Sequence, residues 1–280
     1  MGEPMRGRVC VVTGANGGIG RATALALAAQ GATVALVCRR ADAGRAARDE
    51  IIRATGSDEV HLLLADLSAQ AEVRRAAAEL LGRFARIHVL VNNAALYTRR
   101  RRVTVDGIEA QWAVNHLAPF LLTNLLLGRL TESAPARVVT VSSNAHRDAR
   151  LRWDDLTRER GRYRGLAMYS ATKLANLLFT RELARRTLGS GVTANALHPG
   201  VVATELLLNG FPPLRLFRRF LRTPEQGAAT AVHLAASPEV EGVTGEYFVD
   251  GRIVAPDPAA RDDHDARRLW EASAAMTGLA

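Results

Sequence analysis

Thr13-Gly-Ala-Asn-Gly-Gly-Ile-Gly20 directly follows an apolar run over Arg8–Thr13 and precedes an alanine-rich helical pattern over Arg21–Gln30. A glycine-rich turn of this kind lets the backbone approach a pyrophosphate, and the amino terminus of the following helix attracts the anion. The spacing Gly-x-x-x-Gly-x-Gly between a strand and a helix therefore predicts a dinucleotide site.

The glycines of this turn have separate expected roles. Gly14 permits the tight turn, Gly18 lets the backbone come close to the pyrophosphate, and Gly20 allows close contact between helix and sheet. Asn16 and Ile19 lie within the same turn. We expect both of them to contact the cofactor.

Short apolar runs alternate with longer helical patterns along the 280 residues. Runs with few polar residues are typical of parallel strands, because both faces of such a sheet are covered. Six runs are predicted as strands: Arg8–Thr13, Thr33–Cys38, Val60–Ala65, Ile87–Asn92, Arg137–Ser142 and Val192–His198. The pattern predicts an α/β fold, with a doubly wound (Rossmann) parallel sheet in three α/β/α layers and a single domain over residues 1–280.

Two segments depart from the alternation. Residues 203–223 contain Pro212-Pro213 and a mixture of leucine, phenylalanine and arginine, which indicates a substrate lid. The tail, residues 256–280, is polar at first and then places Leu269 and Trp270 on a short helical pattern. We expect this tail to dock on the body as a C-terminal helix.

The composition is that of a globular chain, with 48% hydrophobic and 23% charged residues. The formal charge is +9, yet the arginines are spread along the chain rather than gathered in one basic segment. Nucleic acid is therefore not an expected partner. The longest near-apolar stretch, Leu117–Leu127, is shorter than the ~18 residues that a membrane helix needs, so no integral membrane segment is expected.

The cysteines and histidines indicate the redox compartment of the protein and whether it binds a metal. Cys10 and Cys38 lie in apolar runs, and we expect two buried, free thiols in a reducing compartment. The seven histidines show no metal-ligand spacing, and no metal is predicted. His116, His146 and His198 are each expected to satisfy local backbone groups. A cytoplasmic location is the default expectation, and a homo-oligomer stays open.

The end of the second predicted strand bears on which dinucleotide is bound. Cys38-Arg39-Arg40 stands where an acidic residue would bond the ribose 2′-hydroxyl of NAD. A guanidinium instead favours a 2′-phosphate, so we expect NADP(H), bound by Arg39 with assistance from Arg21. The alternative is that Arg39 and Arg40 are only exposed residues of an arginine-rich chain.

Two further strand ends are expected to meet the cofactor. Asp66-Leu67 follows the third predicted strand and is placed to meet the adenine. Asn92-Asn-Ala-Ala95 follows the fourth and offers small residues where the cofactor lies close. Asn92 and Ala94 are the expected contacts.

Of the 37 basic residues, Lys173 is the one lysine, and it stands four residues after Tyr169. The i,i+4 spacing places both side chains on one face of a helix. An adjacent ammonium favours the phenolate form of a group whose pKa is normally about 10, so Tyr169 is expected to exchange protons near neutrality. The alternative is an ordinary solvated helix pair.

Together these residues resemble the short-chain dehydrogenase/reductase family, from the glycine turn to about Asp250. The matching motifs are Thr13–Gly20, Asp66, Asn92–Ala95, Asn115, Val141-Ser-Ser143, Tyr169-x-x-x-Lys173 and His198-Pro-Gly200. Within the family, three longer stretches look like the retinol dehydrogenase and protochlorophyllide reductase branch. They are Asn115-His-Leu-Ala-Pro-Phe120, Val141-Ser-Ser-Asn-Ala-His146 and Tyr169-Ser-Ala-Thr-Lys-Leu-Ala-Asn176.

The resemblance implies roles for the matching residues. Tyr169 would be the acid/base, Lys173 would bind the nicotinamide ribose and depress the pKa of Tyr169, and Ser143 would hydrogen-bond the carbonyl or alcohol. Ser143 is preferred over Ser142 because the family uses the second serine of such a pair. Asn115 would hold a water in the proton relay behind Lys173, and its alternative role is to satisfy local backbone.

The resemblance also implies a nicotinamide site after the sixth predicted strand, where Thr204 would bond the carboxamide. The residues expected to shape that site are Pro199, Gly200, Val202 and Thr204.

The leading hypothesis is an NADP(H)-dependent oxidoreductase that interconverts an alcohol and a carbonyl compound. The apolar face of the predicted lid, Leu206–Leu208 and Phe211–Leu221, favours a lipophilic substrate, although these residues could instead pack on the domain or on a second copy. The lid arginines are interpreted either as a solvated face or as a site for an anionic group. The run Arg99–Arg102 follows the fourth predicted strand, and it is interpreted as a site for an anionic substrate group or a membrane surface. An enone reductase and a non-catalytic NADP(H)-binding sensor are the competing functions.

Overall fold

The computed structural model describes residues 4–210 and 220–280, which form an α/β structure around one sheet. Within these ranges the sheet has eight strands in the order β3-β2-β1-β4-β5-β6-β7-β8. All neighbours run parallel except the last pair. The strands are β1 Val9–Thr13, β2 Thr33–Cys38, β3 Val60–Leu64, β4 Val89–Asn92, β5 Ala136–Val141, β6 Val192–His198, β7 Tyr247–Val249 and β8 Arg252–Ile253.

Helices follow most of the strands. They are α1 Gly18–Ala28, α2 Ala41–Thr55, α3 Gln70–Arg83, α4 Ala110–Trp112, α5 Ala118–Glu132, α6 Gly165–Arg186, α7 Glu205–Gly210, α8 Pro224–Ala236 and α9 Asp263–Thr277. A π-helical turn, Ala113–Leu117, joins α4 to α5, and a 3₁₀ turn, Asn144–His146, follows β5.

The strands are buried on both faces, as their apolar runs predict. Successive residues of β1 point to opposite sides, so that Val11 packs in one core cluster while Cys10 and Val12 pack in the other. Helices α3, α5 and α6 contribute to the first cluster, and α1, α2 and α8 to the second. The predicted three-layer, doubly wound arrangement is confirmed.

The strand order determines where the sheet can bind a ligand. The chain builds outward from β1 through β2 to β3, and then returns to β4 on the other side of β1. Where the order reverses, the loops after β1 and β4 diverge and open a crevice at the carboxyl ends of the strands. The glycine turn follows β1, so it lies at this crevice.

All six predicted strands are present, with ends that shift by at most two residues. The first helix begins at Gly18 rather than at Arg21, so the glycine turn supplies its first residues. The strands β7 and β8 were not predicted. They contain only three and two residues, and they are strands because β7 pairs with β6 and β8 pairs with β7.

The predicted lid falls only partly within the described residues. It begins with α7, and Val202 and Arg222 at its two ends form a parallel bridge. Arg222 also forms an ion pair with Asp250. The predicted features Pro212-Pro213, Arg215, Arg218 and Arg219 lie outside the described residues.

The C-terminal tail docks as expected. Leu269 is 1% exposed, and the Trp270 ring packs 4.9 Å from Phe120 and 5.9 Å from Phe179, measured between ring centroids. The Arg186 guanidinium lies 4.4 Å from the centre of the same indole. The helix α9 therefore covers α5 and α6 through an aromatic cluster.

Cys10 and Cys38 are both buried and free, as predicted. Across residues 4–210 and 220–280, no helix combines the length and the apolar character needed to cross a membrane.

Replacing Leu269 by Ala should lower the free energy of unfolding by about 2–5 kcal/mol, because a fully buried leucine leaves a cavity between α9 and α6. Glu271→Ala, on the exposed side of the same helix, is the matched control and should change stability by less than about 0.5 kcal/mol. Chemical denaturation of both variants measures the difference, and equal stabilities would show that the docking of α9 contributes little.

Candidate active site

A cleft of about 700 Å³ opens at the carboxyl ends of the strands, where the sheet order reverses. Its floor is the glycine turn, and its walls are the residues that follow β2, β3, β4, β5 and β6 together with the first turns of α6. The cleft is therefore the crevice that a doubly wound sheet provides for a ligand.

The glycine turn is built for close approach. Gly14 has a φ of 67°, and a Cβ there would lie 2.9 Å from the Cα of Ala94. A Cβ on Gly20 would collide with the carbonyl oxygen of Gly14 and with the side-chain amide of Asn93. Gly17, the N-cap of α1, has no side chain to bond the first N–H groups of the helix. This cradle fits the pyrophosphate of a dinucleotide.

The cradle is fixed to the neighbouring strand by Thr13 and Asn93. The amide N–H groups of Asn93 and Ala94 each donate to Thr13 Oγ1 over 3.0 Å. In return, Asn93 Nδ2 donates to the carbonyl oxygen of Thr13 over 2.8 Å. These bonds hold the ends of β1 and β4 together beneath the cleft.

The structure corrects one predicted cofactor contact. Asn92 is 2% exposed and does not line the cleft, because its Nδ2 donates to Thr123 Oγ1 on α5. Asn92 is still within β4, where side chains point to the faces of the sheet, whereas Asn93 lies beyond the strand and reaches the crevice. Asn93, rather than the predicted Asn92, therefore lines the cleft.

The other predicted cofactor contacts all line the cleft. They are Gly14, Asn16, Gly18, Ile19, Gly20, Arg39, Asp66, Leu67, Ala94, Lys173, Pro199, Gly200, Val202 and Thr204.

Positive charge borders the cleft after β2. Arg39 and Arg40 are both exposed, and Arg40 is also the N-cap residue of α2. Arg21 lines the cleft as well, but its guanidinium forms a 2.7 Å ion pair with Glu50. Arg39 and Arg40 are therefore better placed than Arg21 to meet an anionic group.

The second group of predicted site residues comes from β5 and α6. Tyr169 and Lys173 lie one turn apart on α6, and Ser143 follows β5 at the same end of the sheet. All three line the cleft. Lys173 is 2% exposed, and its Nζ donates to the carbonyl oxygen of Val141 over 2.9 Å.

The titration of this group differs from the sequence-based expectation. Burial raises the pKa of Tyr169 to about 12, and a side-chain hydrogen bond with Ser143 acts in the opposite direction. Burial also lowers the pKa of Lys173 to about 8. The Lys173 ammonium lies 5.5 Å from the centre of the phenol ring. The expected depression of the Tyr169 pKa by Lys173 is thus absent, because desolvation of the phenolate dominates.

The two adjacent serines have different surroundings. Ser142 is 2% exposed, and its Oγ donates to the carbonyl oxygen of Lys173 over 2.8 Å. Ser143 is only partly buried, and its Oγ accepts from the amide N–H of Ala145 over 3.2 Å. Ser143 is therefore the serine whose hydroxyl can meet a ligand, whereas Ser142 fastens α6 to the sheet.

Asn115 lies in the π-helical turn and does not line the cleft. Its Oδ1 accepts from the amide N–H of Leu96, and its Nδ2 donates to the Leu96 carbonyl oxygen and to Thr172 Oγ1. Thr172 Oγ1 in turn donates to the carbonyl oxygen of Tyr169. Asn115 thus links the loop after β4 to the helix that carries Tyr169 and Lys173.

His116, His146 and His198 were expected to satisfy local backbone groups. All three are hydrogen-bonded, but His116 bonds a side chain of α9 rather than local backbone. His116 Nε2 pairs with Ser273 Oγ over 2.8 Å, His198 Nδ1 accepts from the amide of Asn144 over 3.3 Å, and His146 bonds two main-chain groups. Burial lowers the pKa of His116 to about 3 and that of His198 to about 4. Both rings are therefore neutral at neutral pH.

Several residues that line the cleft were not singled out from the sequence. They include Tyr97, Val114 and Leu166. The Tyr97 ring packs edge-on against Tyr169, with 6.1 Å between the ring centroids. Tyr97 follows β4, so its position after a strand end could have identified it. Leu166 could have been found because it lies three residues before Tyr169 on the same helix.

Comparison with known proteins agrees with this geometry. The chain matches the family described as short chain dehydrogenase over residues 8–211. It is 44% identical to Retinol dehydrogenase 12 of Bos taurus, over 98% of this chain and 87% of that protein. Retinol dehydrogenase 14 of Homo sapiens is 45% identical, over 99% of this chain and 89% of that protein.

Solved structures show the same fold. A protein from Mycobacterium paratuberculosis aligns with a TM-score of 0.81 at 35% identity, covering 98% of this chain and 94% of that one. A short chain dehydrogenase from Shigella flexneri, complexed with NADP, aligns with a TM-score of 0.74 at 23% identity. That alignment covers 90% of this chain and 100% of the other, and it concerns the fold alone. The chain belongs to the short-chain dehydrogenase/reductase family, in its retinol dehydrogenase-like branch.

Proposed function

We propose that this protein is an NADP(H)-dependent oxidoreductase that interconverts an alcohol and an aldehyde or ketone, acting on a lipophilic small molecule. The observation that carries the proposal is the convergence of Ser143, Tyr169 and Lys173 on one cleft that also contains the glycine turn. A dinucleotide and a carbonyl compound bound there would share the same space. When bound, the reduced nicotinamide supplies the hydride.

Tyr169 is the proposed proton donor to the carbonyl oxygen. With a pKa of about 12, its phenol keeps its proton at neutral pH, which suits donation to an oxygen that gains negative charge. Ser143 is proposed to donate a hydrogen bond from its hydroxyl to the same oxygen, since it lines the cleft with Tyr169 and its Oγ is held by the Ala145 amide N–H. These two hydroxyls would stabilise the charge that develops during reduction.

Lys173 is proposed to bind the nicotinamide ribose. An ammonium has three donors, and the bond to Val141 uses only one of them. Asn115 is proposed as the relay position behind Lys173, reached through Thr172 rather than through contact with the substrate. Pro199, Gly200, Val202 and Thr204 are proposed to shape the nicotinamide end of the cleft.

The preference for NADP(H) over NAD(H) rests on Arg39 and Arg40. Both are exposed at the end of β2 and line the cleft. A charge-assisted bond from a guanidinium to a 2′-phosphate contributes about 1.5–3 kcal/mol, which corresponds to roughly 10- to 100-fold in affinity.

The lipophilic substrate is supported by the apolar side chains around Tyr169. These side chains line the cleft that Tyr169 also lines, and they are Leu96, Tyr97, Val114, Leu166, Val201 and Leu206. Leu166 and Val201 are 51% and 54% exposed, so apolar surface extends to the entrance of the cleft. The relatives at 44–45% identity are named retinol dehydrogenases, and retinol is an apolar alcohol.

The wider arrangement is also a proposal. Residues 203–223, of which 211–219 lie outside the described residues, are proposed as a substrate lid of one domain over residues 1–280. The bridge between Val202 and Arg222 brings the flanks of that segment together. The cytoplasmic location and the homo-oligomeric state stay predictions from the sequence.

Replacing Tyr169 by Phe should reduce turnover at least ~100-fold, because a positioned proton donor is lost while the ring still fills its site. The measurement is NADPH oxidation, followed by absorbance, across lipophilic aldehydes, ketones and enones, with product analysis to separate carbonyl from alkene reduction. NADPH affinity, measured by fluorescence titration, should stay unchanged. Near-normal turnover in the variant would exclude Tyr169 as the proton donor.

Replacing Ser143 by Ala should lower kcat by roughly 10²-fold, as expected for removal of one donor to a developing oxyanion. Ser142→Ala is the matched control, since it removes a hydroxyl that bonds the α6 backbone. That variant should lose about 1 kcal/mol of stability. Its loss of kcat should be much smaller than that of Ser143→Ala, because Lys173 Nζ still bonds Val141. The reverse ranking of the two kcat values would assign the substrate contact to Ser142.

Replacing Arg39 by Ala should raise the KM for NADPH roughly 10- to 100-fold while leaving the KM for NADH nearly unchanged, because NADH has no 2′-phosphate. Arg53→Ala, in the last turn of α2 and outside the cleft lining, is the control. Parallel Michaelis curves with both cofactors test this. Equal effects on NADPH and NADH would assign Arg39 a role other than recognition of the phosphate.

A further inference from the structure

His146 occupies an unusual position directly behind Ser143. It ends the 3₁₀ turn that follows β5, and its side chain is fully buried. Its Nδ1 lies 2.7 Å from the carbonyl oxygen of Ser143, and its Nε2 lies 3.2 Å from the amide nitrogen of Asp257. One imidazole therefore connects the proposed active-site serine to the start of the C-terminal tail, 111 residues away along the chain.

The two partners fix the protonation state of the ring. A carbonyl oxygen can only accept and a backbone N–H can only donate, so Nδ1 carries the proton and Nε2 accepts. Burial lowers the pKa of His146, and the nearby charge of Arg147 acts in the same direction. The bond to Ser143 and the charge of Asp257 oppose this. The ring is thus neutral at neutral pH, in the one tautomer that makes both bonds.

Direct chemistry on a substrate is excluded by the same geometry. Both ring nitrogens already have partners, the side chain is 0% exposed, and His146 does not line the cleft. The ring instead packs edge-on against Tyr247, with 5.2 Å between centroids. Any effect of His146 on the reaction must pass through another residue.

Ser143 is the residue through which it can act. The Ser143 carbonyl accepts from both the main-chain N–H and the ring Nδ1 of His146, and its backbone is extended, with φ −165° and ψ 154°. The peptide that follows is held in place as well, since the amide of Asn144 donates to His198. These bonds set the direction of the Ser143 side chain, which lines the cleft together with Tyr169.

The other end of the connection is firmly docked. Asp257 Oδ1 accepts from the amide of Ala259 over 2.9 Å, which caps the next turn of the tail. The tail then continues into α9, where Asp263 pairs with Arg181, Ser273 bonds His116, and Leu269 is buried. The Asp257 amide is therefore a fixed donor that holds the imidazole in place.

We propose that His146 is a positioning residue for Ser143, and that the Asp257 amide, at the start of the C-terminal tail, holds the imidazole in the tautomer and orientation that this requires. The inference rests on the proposed function, since it assigns Ser143 its substrate contact. Misplacement of a reacting group by about 1 Å can cost roughly 10²-fold in rate. A loosened serine should thus slow the chemical step without weakening cofactor binding.

Four substitutions separate the two bonds. In His146→Asn, the side-chain amide can take the place of Nδ1 and donate to the Ser143 carbonyl oxygen, but it cannot reach the Asp257 amide. In His146→Gln, the longer side chain can take the place of Nε2 and accept from the Asp257 amide, but it does not donate to Ser143. Asp257→Pro removes the N–H at a φ of −51°, which the proline ring accommodates. Both Asp257 substitutions remove the carboxylate, but Asp257→Ala keeps the N–H, so it is the matched control.

With NADPH and an active carbonyl compound, both His146 variants and Asp257→Pro should lose about tenfold or more in kcat, while KM and NADPH affinity change by less than about threefold. The primary isotope effect on kcat with deuterated NADPH should increase, because hydride transfer becomes more rate-limiting. His264→Gln, at an exposed histidine, should keep the wild-type kcat and isotope effect. Asp257→Ala loses the cap on Ala259 but keeps the N–H that bonds His146, so its loss in kcat should be much smaller than that of Asp257→Pro.

The thermal unfolding midpoint of every variant is measured to detect a loss of activity that comes only from a loss of stability. All rates are compared at a temperature well below the lowest of these midpoints. Wild-type kcat and isotope effect in the His146 variants would overturn the inference, as would equal losses in Asp257→Ala and Asp257→Pro. A wild-type enzyme that turns over no compound of the panel would instead overturn the proposed function, and this inference with it.

Discussion

A reciprocal pair of hydrogen bonds between β5 and α6 holds the candidate active site together. Lys173 Nζ donates to the carbonyl oxygen of Val141, and Ser142 Oγ donates to the carbonyl oxygen of Lys173. Burial of the ammonium opposes this arrangement, and the fall of its pKa to about 8 corresponds to about 3 kcal/mol. The site therefore keeps a lysine at a cost in stability. In a chain whose other basic residues are arginines, the compact ammonium is what fits between the strand and the helix.

The fold could be predicted from the sequence because the patterns that determine it are local in the chain. An apolar run predicts a buried strand wherever helices cover both faces, and the glycine turn identifies the strand at which the sheet reverses. Asn92 and Asn93 could not be separated in this way, since the choice depends on where β4 ends. The strands β7 and β8 and the π-helical turn that carries Asn115 also escaped prediction, because tertiary pairing and packing rather than composition determine them.

The titration of Tyr169 shows the limit of reasoning from spacing. The i,i+4 relation correctly places Tyr169 and Lys173 on one face of α6. It does not say where the ammonium points, and Nζ extends to Val141 beneath the ring rather than to the phenol oxygen. Two buried groups then both shift toward their neutral forms. A neutral phenol keeps a proton that it can donate.

The cleft itself is assembled from strand ends, but its precision depends on segments that are remote in sequence. Thr13 and Asn93 join the loops after β1 and β4, and Asn115 joins Leu96 to α6. Each of these connections uses a side chain to bond main-chain atoms of another element, so a shift of one element moves the next. The bond from Asp257 to His146 extends the same principle to the C-terminal tail. The C-terminal tail covers α5 and α6 through an aromatic cluster. It is also connected to Ser143, because the His146 imidazole bonds both the Ser143 carbonyl oxygen and the Asp257 amide.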